Sequence, residues 1–153
     1  MSFDRELIEA ALVLEMIPAS GMPELARDAL EAGLGGPTIR YIATLEQPTS
    51  FDVAALVPKA KEEMGLREVT KGEAALRVGK LLAKEILARC GADNPLHLGC
   101  AKQFEWLWIK GGHPQELGSL GTLCDEIDLA KVKGQTIAQI REWVTERLRA
   151  LSA

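Results

Sequence analysis

The chain has 153 residues, of which 47% are hydrophobic and 26% charged, and 22 acidic against 18 basic side chains give a net charge of −4. This length and composition suit one folded domain and exclude a disordered chain. The net negative charge repels phosphate backbones, which disfavours nucleic acid as the main partner.

The N-terminal segment and the cysteines bear on the cellular compartment. Residues 1–6 already contain acidic side chains, and they lack the basic region, apolar run and cleavage site of an export signal. No apolar run approaches the roughly 20 residues that a membrane span needs. Three widely spaced cysteines, Cys90, Cys100 and Cys124, fit reduced thiols better than a disulfide framework. We therefore expect a cytoplasmic protein that is not associated with a membrane.

Helix-forming residues dominate the chain, and stretches of alternating β-branched or aromatic residues are missing, so no strand is predicted. Glycine, proline and capping residues divide the chain into eight segments. They predict helices near residues 4–16, 23–33, 37–47, 51–64, 70–90, 94–110, 113–133 and 136–151. The sequence therefore predicts an all-α, single-domain, bundle-like array of seven or eight short helices.

Two features of the first 65 residues give specific predictions. In the first helix, Leu7 and Ile8 fall on the apolar side and Glu9 on the polar side. In the segment 51–64, Pro58 cannot donate its amide and clashes with the preceding turn. We therefore expect that segment to be kinked or divided at Val57.

The clearest helix signals lie in the second half of the chain. Thr70 and Glu73 have the spacing of a capping box, and so do Thr136 and Gln139 at the start of the last helix. Gly79 lies in the inward stripe of the helix that Thr70 begins. A glycine there predicts a close crossing with another helix.

The region between these two helices is less regular. Asn94 and Pro95 suit the cap and first residue of a helix that runs to about Lys110. Gly118 and Gly121 weaken the stretch that follows. The spacing of its leucines nevertheless predicts one helix from residue 113 to 133.

His97 and Cys100 are the residues around which chemistry could be built. Three residues apart on a helix, they would share one face and could form a thiolate–imidazole pair or half of a zinc site. The alternative is a partly buried, neutral histidine, because no Cys-x-x-Cys or His-Glu-x-x-His spacing occurs in the chain. A small-molecule pocket would add Glu105 or His113. No catalytic, cofactor or metal site is predicted.

Two tryptophans carry information about binding. Trp106 projects opposite Phe104, beside Ile109, so the core contacts that cover Phe104 cannot also cover it. It lies either against a second neighbouring helix or in a protein interface, where tryptophan is enriched. Trp143 flanks the inward stripe of the last helix and covers the core edge or joins a dimer surface.

The helix-packing pattern also resembles a loose class of small bacterial all-helical proteins of unassigned function. The matching features are the helix at residues 23–31, the opening at 37–40, and the segment 85–87 that leads through Asn94 and Pro95 into an aromatic-rich helix. This resemblance implies the all-helical fold and supplies no catalytic residue.

The sequence thus predicts a cytoplasmic protein-interaction or accessory module without catalytic activity. Its partner is another protein or a second copy of itself, and the contact surface includes Trp106, Trp143 and Ile109. The alternative is a small-molecule-binding or enzymatic helical domain with a pocket near His97 and Cys100.

Overall fold

The computed structural model describes residues 3–153, and its regular elements are all helical. The described residues form no strand beyond one isolated bridge between Gly91 and Asn94. The predicted all-α class is therefore confirmed. Met1 and Ser2, which belong to the segment that argued against an export signal, lie outside the described residues.

The helices group into two compact units, each with its own buried cluster. The first unit ends at Val69, and the second spans Thr70–Ala153. In the described part of the chain, eight helices have seven or more residues, in line with the predicted seven or eight. That the two units fold as one domain stays a prediction.

The first unit contains five helices, α1 Arg5–Val13, α2 Met22–Glu31, α3 Pro37–Ala43, α4 Ser50–Ala54 and α5 Val57–Glu63. The division at Val57 is as predicted. Thr49 and Asp52 cap α4 reciprocally, with the Asp52 carboxylate accepting from the Thr49 backbone N–H at 2.7 Å. The core of this unit lies between α2, α3 and α5.

Glu63, the last residue of α5, fixes the start of α3. Its two carboxylate oxygens accept from the backbone N–H groups of Thr38 and Ile39 at 3.2 and 2.9 Å. These N–H groups have no partner within a helix, so the carboxylate takes the place of a side-chain cap. Desolvation alone would raise the pKa of Glu63. The hydrogen bonds from Ile39 and Thr38 and the nearby Lys59 together lower it by more, so the pKa lies below its usual value.

Glu9 is buried, and the prediction that it faces solvent was wrong. Its side chain is 2% exposed, and its Oε2 accepts a short hydrogen bond from the backbone N–H of Arg67. Amphipathic spacing within α1 could not reveal this partner, which is 58 residues away in the chain. Glu9 therefore ties α1 to the segment after α5.

The second unit contains α6 Lys71–Arg89, α7 Cys100–Lys110, α8 Gly118–Gly121, α9 Leu123–Val132 and α10 Ile137–Ser152. Thr70 and Thr136 cap α6 and α10 as predicted. The close approach predicted at Gly79 is present, but its tightest contact is with Leu117, at the end of the short 3-10 turn Gln115–Leu117, while α10 lies at ordinary contact distance. A Cβ atom on Gly79 would lie 2.8 Å from Leu117 Cδ2 and 3.7 Å from Leu151 Cδ2.

The helix predicted to begin at Pro95 begins only at Cys100, so this boundary was wrong. Asn94 does not cap it. Its side-chain amide instead donates to the carbonyl of Arg89 at 2.7 Å, and its backbone pairs with Gly91. Asn94 thus closes the end of α6 and leaves residues 95–99 outside any helix.

The single helix predicted for residues 113–133 is also divided. A short 3-10 turn, Gln115–Leu117, leads into α8, and α9 follows after Thr122. The Thr122 hydroxyl donates to the Gly118 carbonyl at 3.1 Å and to Glu126 Oε2 at 2.9 Å. Gly118 and Gly121, the two residues that argued against a continuous helix, are the first and last residues of α8.

Glu126 and Arg147 join α9 to α10. The two terminal nitrogens of Arg147, Nη1 and Nη2, donate to the Glu126 carboxylate at 2.6 and 2.8 Å. Nη1 also donates to the Ser119 carbonyl at 2.9 Å. The hydrogen bonds from Arg147 are the main reason that the pKa of Glu126 lies below its usual value. Through this bidentate pair and the Ser119 carbonyl, Arg147 links α10 to α9 and to α8.

We expect Glu126→Gln to lower the free energy of unfolding by about 1 kcal/mol near neutral pH, because the pair is partly exposed and screened by water. A carboxylate whose folded pKa is lowered stabilises the fold above its unfolded pKa, about 4.3, and loses this effect as the pH falls through the folded value. Urea unfolding from pH 7 to pH 3 should therefore show the difference from wild type shrinking as the pH falls below about 4.3.

A matched control is Glu73→Gln, which removes the exposed partner of Arg77 one helical turn away on α6. Such a pair contributes about 0.3–0.5 kcal/mol. A Glu126→Gln effect no larger than this, or one as large at pH 3 as at pH 7, would contradict the assignment.

Candidate functional site

The outward side of α7 exposes two large apolar side chains. Trp106 is 44% exposed and Ile109 is 54% exposed. Successive helix residues are turned by about 100°, so Trp106 lies about 200° from Phe104, which is fully buried in the core. Neighbouring elements of the described residues therefore cover Trp106 only in part. Of the two predicted alternatives, the structure supports a surface position for Trp106.

Two lysines flank these apolar residues. Lys102 and Lys110 stand four residues before and after Trp106, so they lie along the same side of α7. We call the set Lys102, Trp106, Ile109 and Lys110 the α7 face. The stem of the exposed Lys102 extends the apolar area while its ammonium group remains in water.

The single acid of α7 lies off this face. Glu105 is only partly exposed, and it accepts a hydrogen bond from the Cys124 thiol of α9. Desolvation and this hydrogen bond raise the pKa of Cys124. Glu105 is therefore engaged with α9 and does not belong to the α7 face.

Trp143, the other tryptophan predicted for an interface, packs along the core edge of the second unit. Its Nε1–H donates to Gln135 Oε1 at 3.0 Å, and the guanidinium of Arg147 covers its ring at 4.7 Å from the centroid. Both its polar atom and one ring face are therefore engaged within the chain. This arrangement supports the core-edge alternative.

His113 lies away from His97 and Cys100. Its ring meets Trp108 edge-to-face, with centroids 4.4 Å apart, and its backbone has a positive φ of 61°. The buried Nε1 of Trp108 has no hydrogen-bond partner within residues 3–153. The exposed His113 thus covers one edge of Trp108, and it does not contribute to a pocket with the other predicted residues.

His97 and Cys100 do share a pocket, of about 400 Å³, with Cys90 and Arg89 on its wall. They do not form a catalytic pair on a helix face, because His97 precedes α7. His97 Nδ1 accepts from the backbone N–H of Gly99 at 3.0 Å, so this nitrogen is already engaged within the chain. Burial raises the pKa of the Cys100 thiol to about 11, which keeps it protonated near neutral pH.

A second surface feature, in the first unit, was not predicted from the sequence. It is a groove of about 250 Å³ between α1 and α2. Its apolar wall consists of Leu7, Ile8, Ala11, Ile17 and Leu25, and its charged residues are Asp4, Glu24 and Asp28. We call this set the α1–α2 groove. No lysine or arginine is among the described residues that line it.

Within residues 3–153, no three histidine, cysteine or acidic side chains converge as a metal site would need. None of the helices in this range has the length and apolar character to cross a membrane. Comparison with protein-family models, curated proteins and solved structures finds no match. The resemblance to small bacterial helical proteins therefore stays a prediction.

Proposed function

We propose that this chain is a protein-interaction module that binds another protein chain through the α7 face. The observation that carries the proposal is the exposure of Trp106 beside Ile109 on a single helix side, away from the core. Tryptophan is the side chain most enriched among residues that dominate binding energy. An apolar centre with charges at its margin matches the usual organisation of an interface.

The residues predicted for a possible pocket do not all lie together, and this separation supports the proposal. Glu105 bonds to Cys124, His113 covers Trp108, and only His97 and Cys100 share a pocket. An accessory role without catalysis is consistent with this arrangement. A cytoplasmic location is part of the same proposal, since all three cysteines are free thiols.

Small-molecule binding in the pocket of His97 and Cys100 is the second candidate. Its volume of about 400 Å³ falls within the range of about 300–1,000 Å³ found for ligand sites. The polar groups that would orient a ligand there are partly engaged, because His97 Nδ1 accepts from Gly99. The geometry therefore supports it less than it supports the α7 face.

The interaction proposal is tested by photo-crosslinking from position 109. A photoreactive amino acid in place of Ile109 should form a specific adduct in extract of the native cell, whereas the same group at the exposed Lys80 of α6 should not form that adduct. The adduct partner is identified and purified. Its affinity for the chain is then measured by calorimetry.

Trp106→Ala should weaken this affinity about 30-fold or more, because truncation of a central interface tryptophan costs about 2 kcal/mol or more. Phe51→Ala is the matched control, since Phe51 is an even more exposed aromatic residue, on α4. It should leave the affinity unchanged. Equal affinity of wild type and Trp106→Ala, with both folded by circular dichroism, would refute the proposal.

A further inference from the structure

We propose that the α1–α2 groove binds a helical segment of another protein, one that carries an apolar stripe flanked by lysine or arginine side chains. The groove lies wholly in the first unit, so this role goes beyond that of the α7 face and does not depend on it. The spacing of the groove residues, its apolar wall and the charge at its edge select this partner.

The groove is bordered by one side of each of two helices. Four residues at α1 and four at α2 recur at the same spacing of three, four and seven positions. They are Asp4, Leu7, Ile8 and Ala11 at α1, and Gly21, Glu24, Leu25 and Asp28 at α2. Residues at this spacing share one helix side, and seven positions extend about 10 Å. Two such parallel borders suit a third helix, which docks in a groove through side chains at the same spacing.

The wall between these borders is apolar. Leu7, Ile8 and Ile17 are only partly buried, so a partner that covers them removes further apolar surface from water. The volume of about 250 Å³ lies below the range of about 300–1,000 Å³ typical of small-molecule sites. The groove therefore suits a few apolar side chains of a helix better than a complete small molecule.

The edge of the groove is acidic. Asp4 and Glu24 are exposed and Asp28 is partly exposed, and the described residues that line the groove include no lysine or arginine. The one basic residue of α2, Arg27, donates to the carbonyl of Ala43 at 3.3 Å. Three carboxylates at the edge favour a partner with positive charges and repel an acidic one.

Charge also favours a foreign segment over a second copy of this chain. The chain has a net charge of −4, so two copies repel each other at long range, whereas a basic segment is attracted. The partner is therefore a basic amphipathic helix of another protein.

The test uses the full-length chain and a synthetic helical peptide of about 18 residues, long enough to form helix in water. The peptide carries leucines at a spacing of three and four, with lysines on both sides of the stripe. Two matched peptides have glutamine or glutamate in place of every lysine. Binding is followed by the NMR signals of the methyl groups of Ile8, Ile17 and Leu25, and the methyl signals of Ile109 report on the α7 face.

We expect the lysine peptide to shift the three groove signals saturably at low salt and to leave the Ile109 signals in place. The glutamine peptide should bind about tenfold more weakly or worse, and the glutamate peptide should not bind. No saturable shift with the lysine peptide, or equal affinity for the lysine and glutamine peptides, would overturn the inference.

Charge reversal in the chain tests the same contact. E24K/D28K should weaken binding of the lysine peptide about tenfold or more. The matched control is E46K/E68K, which makes the same change in net charge at two exposed positions of the first unit outside the groove. It should weaken binding less than about threefold, since distant charges are screened. Equal effects of the two variants would overturn the inference.

E24K alone repeats the test if circular dichroism shows that the double variant loses helix, because Glu24 is exposed. The outcome is separable from that of the proposed function, which concerns the second unit. Unchanged crosslinking from position 109 in E24K/D28K, together with lost peptide binding, would support both surfaces as independent sites. Crosslinking from position 109 together with a lysine peptide that does not bind would refute the groove and leave the α7 face standing.

Discussion

Replacing Glu9 with alanine should lower the free energy of unfolding of the first unit by about 2–4 kcal/mol. The backbone N–H of Arg67 would lose its acceptor, and a polar group left unsatisfied in a partly buried place costs about 1–3 kcal/mol. Loss of the buried methylene groups adds about 1 kcal/mol. Urea unfolding, together with hydrogen exchange at the Arg67 amide, measures both parts.

Glu9→Gln is the matched control because the amide oxygen can still accept from the Arg67 N–H. A neutral acceptor forms the weaker bond, so we expect this variant to lose roughly half as much stability as Glu9→Ala. If alanine and glutamine variants were both as stable as wild type, Glu9 would have no structural role and its burial would be unexplained.

The burial of Glu9 also shows which kind of contact cannot be predicted from the sequence. Its position on α1 is set by local spacing, and that spacing placed it with the polar residues. Its burial depends on Arg67, which follows α1 in the chain only after four further helices, α2 to α5. A periodicity argument treats each helix separately and cannot anticipate such a contact.

Predictions that depend on neighbouring residues succeeded. Thr70 and Thr136 each accept from a backbone N–H three residues ahead, and Pro58 has its effect on the turn before it. The prediction for Asn94 was wrong because its side chain can bond either to the free N–H groups at the start of one helix or to the free carbonyls at the end of another. It bonds to Arg89, at the end of α6.

The candidate site was predictable in part. Helical spacing correctly separated Trp106 from Phe104, and the exposure of Trp106 then depended on whether another helix packs there. The α1–α2 groove could not be predicted from the sequence, since it depends on how two separate helices lie against each other. Its carboxylates, Glu24 and Asp28, look in the sequence like any solvated helix face.

The glycine at position 121 gives the second large effect. Gly121→Ala should lower the free energy of unfolding of the second unit by about 2–3 kcal/mol, because the new methyl group would overlap Trp108. A Cβ atom there would lie 2.5 Å from Cδ2 and 2.6 Å from Cβ of that tryptophan. Neither atom can move away without displacing the indole or the α7 backbone, and overpacking of this kind costs about 1–3 kcal/mol.

Gly118→Ala is the control within the same short helix, since a Cβ atom at Gly118 meets nothing within 4 Å. Alanine restricts the unfolded chain more than glycine does, so this variant should be as stable as wild type or up to about 1 kcal/mol more stable. Both variants are compared by thermal and urea unfolding. Equal stabilities for the two would show that α8 does not press against Trp108.

A double-mutant cycle then assigns the cause. In a Trp108→Ala background the indole is removed and only the Cβ atom of residue 108 stays close to position 121, so the additional cost of Gly121→Ala should fall by about 1 kcal/mol or more. A cost that remained unchanged would place the conflict in the backbone of α8 itself. The predicted coupling would instead identify the indole of Trp108 as the reason that only glycine fits at the end of α8, where the chain turns into α9.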